Sequence, residues 1–109
     1  MAKYLFQATY TSEAWAAQVQ NPQNRTETVV RPALERLGGR IECVYYAFGE
    51  YDLVAIVEMP DNISMAAIAL AVSAGGAMKA SKTTVLMTIE EGIEAMRKAS
   101  GTGYRAPGR

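Results

Sequence analysis

Two runs of β-branched and aromatic residues, Arg40 to Ala47 and Leu53 to Met59, flank the stretch Phe48-Gly49-Glu50-Tyr51-Asp52. Residues of that kind suit a pleated, packed surface, so the two runs are expected to pair as a β-hairpin. Gly49 supplies the backbone freedom for a tight reversal, and Asp52 can accept from nearby main-chain N–H groups. A hairpin at mid-chain commits the protein to an antiparallel sheet. The remaining segments must then add strands to that sheet or helices to its faces.

Tyr4 to Tyr10 reads as a first strand, with Tyr4, Phe6, Ala8 and Tyr10 on one face and Leu5, Gln7 and Thr9 on the other. Ser12 is placed to cap a short helical turn through Ala14, Trp15, Ala16 and Ala17. Asn21-Pro22 has the form of a helix start. From Thr26 to Leu37 the residues Val29, Val30, Ala33, Leu34 and Leu37 share one helical face, Pro32 should kink the axis, and Gly38-Gly39 ends it. Pro60-Asp61-Asn62 stops the third strand and caps a helix from Ile63 to about Ala74. That helix is apolar almost all round and is expected to be buried on more than one side. Lys79 to Met87 reads as a fourth strand. Thr88 and Glu91 then form a capping box for a helix reaching about Ala99.

The order β-α-β-β-α-β plus a C-terminal helix is that of a ferredoxin-like α+β fold, a four-stranded antiparallel sheet with helices on one face. At 109 residues one domain is expected, over residues 1–99, with 100–109 as a flexible tail. Alternation places Leu53, Ala55 and Val57 on one side of the third strand, and Val54 and Ile56, with Met59 nearby, on the other. In the second strand it places Ile41, Cys43 and Tyr45 opposite Val44, Tyr46 and Phe48. Both faces are therefore apolar, and a second subunit packing sheet against sheet is the expected cover.

Half of the residues are hydrophobic, and 11 basic residues balance 11 acidic ones. A neutral chain lacks the basic surface that nucleic acid requires. There is no histidine, which removes the commonest general base and metal ligand. The lone Cys43 has no disulfide partner within the chain and reads as a small packed residue. No metal or cofactor set is expected: the glycine pairs follow helices, whereas a phosphate loop precedes one. Lys3 to Tyr10 already reads as a strand, with no leader pattern before it, and the longest apolar run, Met65 to Val72, is too short to span a bilayer. A cytoplasmic protein without membrane contact is the expectation.

Gly49-Glu50-Tyr51-Asp52, followed by an apolar strand, Glu58 and Pro60-Asp61, resembles the GYD domain family of small bacterial proteins. Leu37-Gly38-Gly39-Arg40 and Asn21-Pro22-Gln23-Asn24-Arg25 are similar to that family too, so the resemblance spans about residues 3 to 95. It implies a dimeric α+β barrel and supplies little chemistry. The Gly-x-Tyr-Asp hairpin, with threonines in a later strand, is also similar to the effector-binding domain of the Lrp/AsnC regulators. Those domains bind small molecules between subunits, and no helix-turn-helix precedes the first strand here.

Tyr51 and Asp52 have two readings: a packed tyrosine beside a turn-capping aspartate, or a carboxylate at a pocket mouth acting as a base. Glu58, in an apolar strand, needs a cationic partner such as Arg25, Lys79 or Lys82. Tyr10, Trp15, Tyr45, Tyr46 and Tyr51 are either core aromatics or the lining of a cavity for a flat or apolar ligand. Arg25 is placed to fix an anionic group there. The candidate ligand-binding residues are thus Tyr10, Trp15, Arg25, Tyr46, Tyr51, Asp52 and Glu58. They point first to a homo-oligomeric module holding a small organic molecule. The alternatives are a cofactor-independent isomerase or monooxygenase, and a structural subunit of a larger complex.

Overall fold

The computed structural model describes residues 1–108. Ala2–Tyr10 (β1), Arg40–Tyr46 (β2), Leu53–Met59 (β3) and Met78–Leu86 (β4) form one antiparallel sheet in the spatial order β2-β3-β1-β4. Ser12–Gln20 (α1) follows β1, and a π-helical turn over Thr26–Val30 runs directly into Arg31–Arg36 (α2). Asn62–Ala74 (α3) joins β3 to β4, and Ile89–Ser100 (α4) follows β4. The strand order and helix placement are ferredoxin-like, as the hairpin and its flanking segments imply.

Period-two alternation fixes which side chains meet the helices. Tyr4, Phe6 and Ala8 of β1 and Ala55, Val57 and Met59 of β3 are buried on that side, against Leu34, Met65 and Ile68 from α2 and α3. Burying a side chain the size of Leu34 or Ile68 contributes about 1.5–3 kcal/mol. The Tyr4 hydroxyl, deep in this core, donates to Asn62 Oδ1 at 2.6 Å, which satisfies its one polar atom and pins the start of α3.

Two side-chain placements differ from those expected of the sequence, only the first through a break in the alternation. A β-bulge between Ile41 and Cys43 lets Ile41 pair with Val57 and Val44 with Ala55, so Ile41 joins Val44 on the helix side while Cys43 stays on the open side. Met59 faces the core with Val57, not the open side with Ile56.

The helix starts also differ. Thr11, not Ser12, caps α1 by accepting from the Ala14 N–H at 3.1 Å, and the helix runs through Gln20, longer than the turn expected. No helix begins at Pro22; Asn24 takes the capping role, its Oδ1 accepting from the Glu27 N–H at 3.3 Å. The kink expected at Pro32 takes the form of the π turn. A proline at 32 has no N–H for the Thr28 carbonyl, and its ring crowds that oxygen. The ladder loosens there, and the Arg31 N–H reaches back to Thr26 O.

α2 ends as the paired glycines require. Gly38 has a φ of +79°, and the Gly39 N–H donates to Leu34 O at 2.9 Å. A β-carbon on buried Gly39 would overlap the Met59 sulfur and lie 2.8 Å from Glu58 O, so the chain here passes too close to β3 for any side chain. Gly49, by contrast, is not in the left-handed region. The reversal between β2 and β3 is a broader loop over 47–52, closed by the Ala47 N–H donating to Asp52 O at 2.8 Å.

α3 is buried on one side only. Met65 and Ile68 enter the core, but Ile63 and Leu70 are 82% and 69% exposed on the outer side, where none of the described residues forms a covering layer. α4 has the capping box expected of Thr88 and Glu91, and none of its residues is buried. The molecule extends 59 Å along its longest axis, with a radius of gyration of 17.5 Å, against about 13 Å for a compact chain of this length. Residues 101–108 have no helix or strand; the tail expected there ends at Arg109, which lies outside the described residues. Among the described residues no helix is long and apolar enough to cross a membrane.

Candidate ligand site

The entry of β3 brings four of the candidate residues together. Asp52 ends the loop after β2, and its own N–H donates to Ala8 O at 2.9 Å, which docks it against β1. Its side chain reaches past the end of β1. Asp52 Oδ2 accepts from the Tyr10 N–H at 3.0 Å and from Trp15 Nε1–H at 3.1 Å. The carboxylate therefore ties the hairpin loop to β1 and α1, where the sequence pointed to a local turn cap. Thr9 adds a bond from its hydroxyl to Glu50 O at 3.1 Å.

Around that carboxylate the aromatics stack. Tyr10 and Trp15 meet edge to face with centroids 5.0 Å apart, and Trp15 and Tyr46 lie tilted at 5.8 Å. The Tyr46 hydroxyl donates to Gln18 Oε1 at 3.3 Å. Burial pushes the Tyr10 phenol above its ordinary value of 10.0; the Tyr46 phenol and the Asp52 carboxylate add to this, and the Arg25 guanidinium opposes it. The corner is thus a neutral aromatic wall with its one carboxylate already engaged.

Beside it opens an apolar cleft of about 300 Å3 between α2 and α3, floored by the sheet. Ala55 and Val57 form the floor, Val29 and Ala33 one wall, Ala69 and Val72 the other. Tyr10, Arg25 and Thr26 bring polar atoms to its lining and link it to the aromatic corner. Its volume lies at the lower end of the range for small-molecule sites, roughly 300–1,000 Å3. A wider, more open hollow of about 640 Å3 lies between residues 22–31 and β2, with Cys43 and Tyr46 in its lining.

The other candidates lie apart. Tyr51 is half-buried in the loop beside Asp52. Tyr45 is on the open sheet face, 67% exposed. Glu58 is on that open face as well, near the far end of β3, about 20 Å along the strand from Asp52 at roughly 3.3 Å per residue. Its partner is Arg40, directly across the β2–β3 ladder, and not Arg25, Lys79 or Lys82. Arg40 holds the Glu58 carboxyl below its ordinary value of 4.5, with burial opposing. Lys3 and Glu42 pair beside it at 2.5 Å. Among the described residues no cluster of three or more His, Cys, Asp or Glu could hold a metal ion.

The cleft walls themselves, Val29, Ala33, Ala69 and Val72, are absent from the sequence-based site set. Their signal was indirect: an alanine-rich helix that lets a neighbour come close, and a proline inside the facing helix.

These features define an α+β protein whose ferredoxin-like sheet carries an aromatic corner and an apolar cleft on its helix side. A family model described as GYD domain matches residues 4–96, and the chain belongs to that family. No curated protein matches the sequence. Among solved structures the chain is similar to one described as "crystal structure of FFRP-DM1", with a TM-score of 0.52 and 15% identity. The alignment covers 80% of this chain and 100% of that one, and at such identity it shows the fold alone.

Proposed function

We propose that the protein is a homo-oligomeric module that binds a small organic molecule. The observation that carries this reading is the apolar cleft between α2 and α3, which meets the wall of Tyr10, Trp15 and Tyr46. Self-association is supported by the open face of the sheet, where Leu5, Val54, Ile56 and Leu86 stand without a helix over them. Native mass spectrometry of protein purified from its own host tests both parts, since it reports stoichiometry and any retained molecule together. A lone ~12 kDa species with nothing bound would refute the reading.

A second reading, a structural subunit of a larger complex, is favoured by the bare outer side of α3 at Ile63 and Leu70. It requires Leu70→Glu to abolish assembly while the cleft stays empty. In either reading the folded unit, expected over residues 1–99, extends through Ser100 at the end of α4, and 101–108 is a flexible tail in the cytoplasm. Removing residues 101–109 should leave the melting temperature within about 5 °C, roughly 1 kcal/mol, because the tail offers no apolar face.

A further inference from the structure

The cleft is apolar along its walls and floor, and its cationic group is Arg25. Arg25 is itself exposed. Arg31, one and a half turns further on, is held by Glu27 at 2.9 Å, whereas among the described residues Arg25 forms no salt bridge. The carboxylate of the adjoining corner, Asp52, is occupied by two N–H donors. The π turn opens one side of the cleft, placing Thr26, Val29 and Val30 along its lining after Arg25. On the other side Ala69, Ala71 and Gly75 leave room where larger residues would close it. An apolar cleft with one uncompensated guanidinium is complementary to a molecule with an apolar body and a single negative head.

We propose that this cleft takes a small amphipathic monocarboxylate, its apolar body between α2 and α3 and its carboxylate against Arg25. The proposal rests on the binding-module reading and names the ligand class and the anchoring residue.

Octanoate, octan-1-ol and octylammonium serve as probes, titrated into the full chain by calorimetry with amide shifts recorded by NMR. Octanoate should bind most tightly and octylammonium least. Arg25→Gln should weaken octanoate about tenfold, the loss expected for one charge-assisted hydrogen bond, and leave octan-1-ol unchanged. Ala69→Phe should block octanoate and octan-1-ol with the fold intact by circular dichroism. Equal affinity for octanoate and octylammonium, an unaltered affinity in Arg25→Gln, or binding that survives Ala69→Phe would each overturn the proposal. A neutral molecule retained by host-purified protein would overturn the carboxylate while leaving the binding module standing. A protein that arrives empty, and whose cleft takes no probe, would remove both.

Discussion

At the entry of β3, Asp52 accepts two N–H groups from β1 and α1, in a half-buried corner walled by aromatics. At the exit of the same strand, Glu58 faces a guanidinium that is 68% exposed, while the backbone behind it packs against a glycine with no room for a side chain. The two carboxylates look alike in the sequence, each beside an apolar run. In the fold one is a joint between three elements and the other is tied to a single exposed arginine, its own side chain 13% exposed over a close-packed backbone. A carboxylate that joins three elements through neutral donors is expected to matter more than one paired with a single exposed guanidinium.

The largest effect should follow from Asp52→Ala. It strips the acceptor from the Tyr10 N–H and Trp15 Nε1–H and should cost about 2–4 kcal/mol in urea unfolding. Trp15 fluorescence should change with it, because the indole loses its partner. At the other end, Gly39→Ala should cost about 1–3 kcal/mol, since the new methyl meets the Met59 side chain and the Glu58 carbonyl. If Gly39→Ala were neutral, the exit of β3 would not be held by packing, and the contrast between the two ends would fail.

Asp52→Asn should be milder, about 1 kcal/mol, because one amide oxygen can still accept both N–H groups without the charge. An asparagine variant as damaged as the alanine one would mean that the charge itself holds the corner. The nearby Arg25 would then be the simplest counter-ion, and it could not also be the free anchor of the cleft.

This contrast explains what was legible beforehand. The strands, their order and the α4 capping box follow from local chemistry: alternation, a reversal rich in turn residues, and a Thr-x-x-Glu spacing. The grouping of Tyr10, Trp15, Tyr46 and Asp52 was legible as a set of types, but its geometry was not. Asp52 bonds to Tyr10 across 42 positions, and no local spacing encodes that. Glu58 was misplaced because its partner lies across the sheet ladder, and the bulge at Ile41–Cys43 shifts the register that sets who faces whom. The bulge likewise reversed Ile41. The cleft was hidden for a similar reason: Pro32 announces a disturbed helix, but not that the disturbance becomes a π turn facing a small-residue helix.

The smallest effect belongs to Glu58→Gln, and its pH and salt dependence tests the comparison most directly. Arg40 lowers the folded carboxyl below its ordinary value of 4.5, so the pair stabilises the fold above about that pH. The contribution fades as pH falls through the lower folded value, where the carboxylate takes a proton. Wild type and Glu58→Gln should therefore differ slightly at pH 7 in low salt and converge in strong acid. They should also converge at neutral pH in 1 M salt, where screening acts over roughly 3 Å. Asp52→Ala should show neither convergence in salt nor a small loss, because its bonds are shielded and made to neutral donors. If Glu58→Gln proved as costly as Asp52→Ala and insensitive to salt, Glu58 would be acting as a buried charge. The two ends of β3 would then be held in the same way.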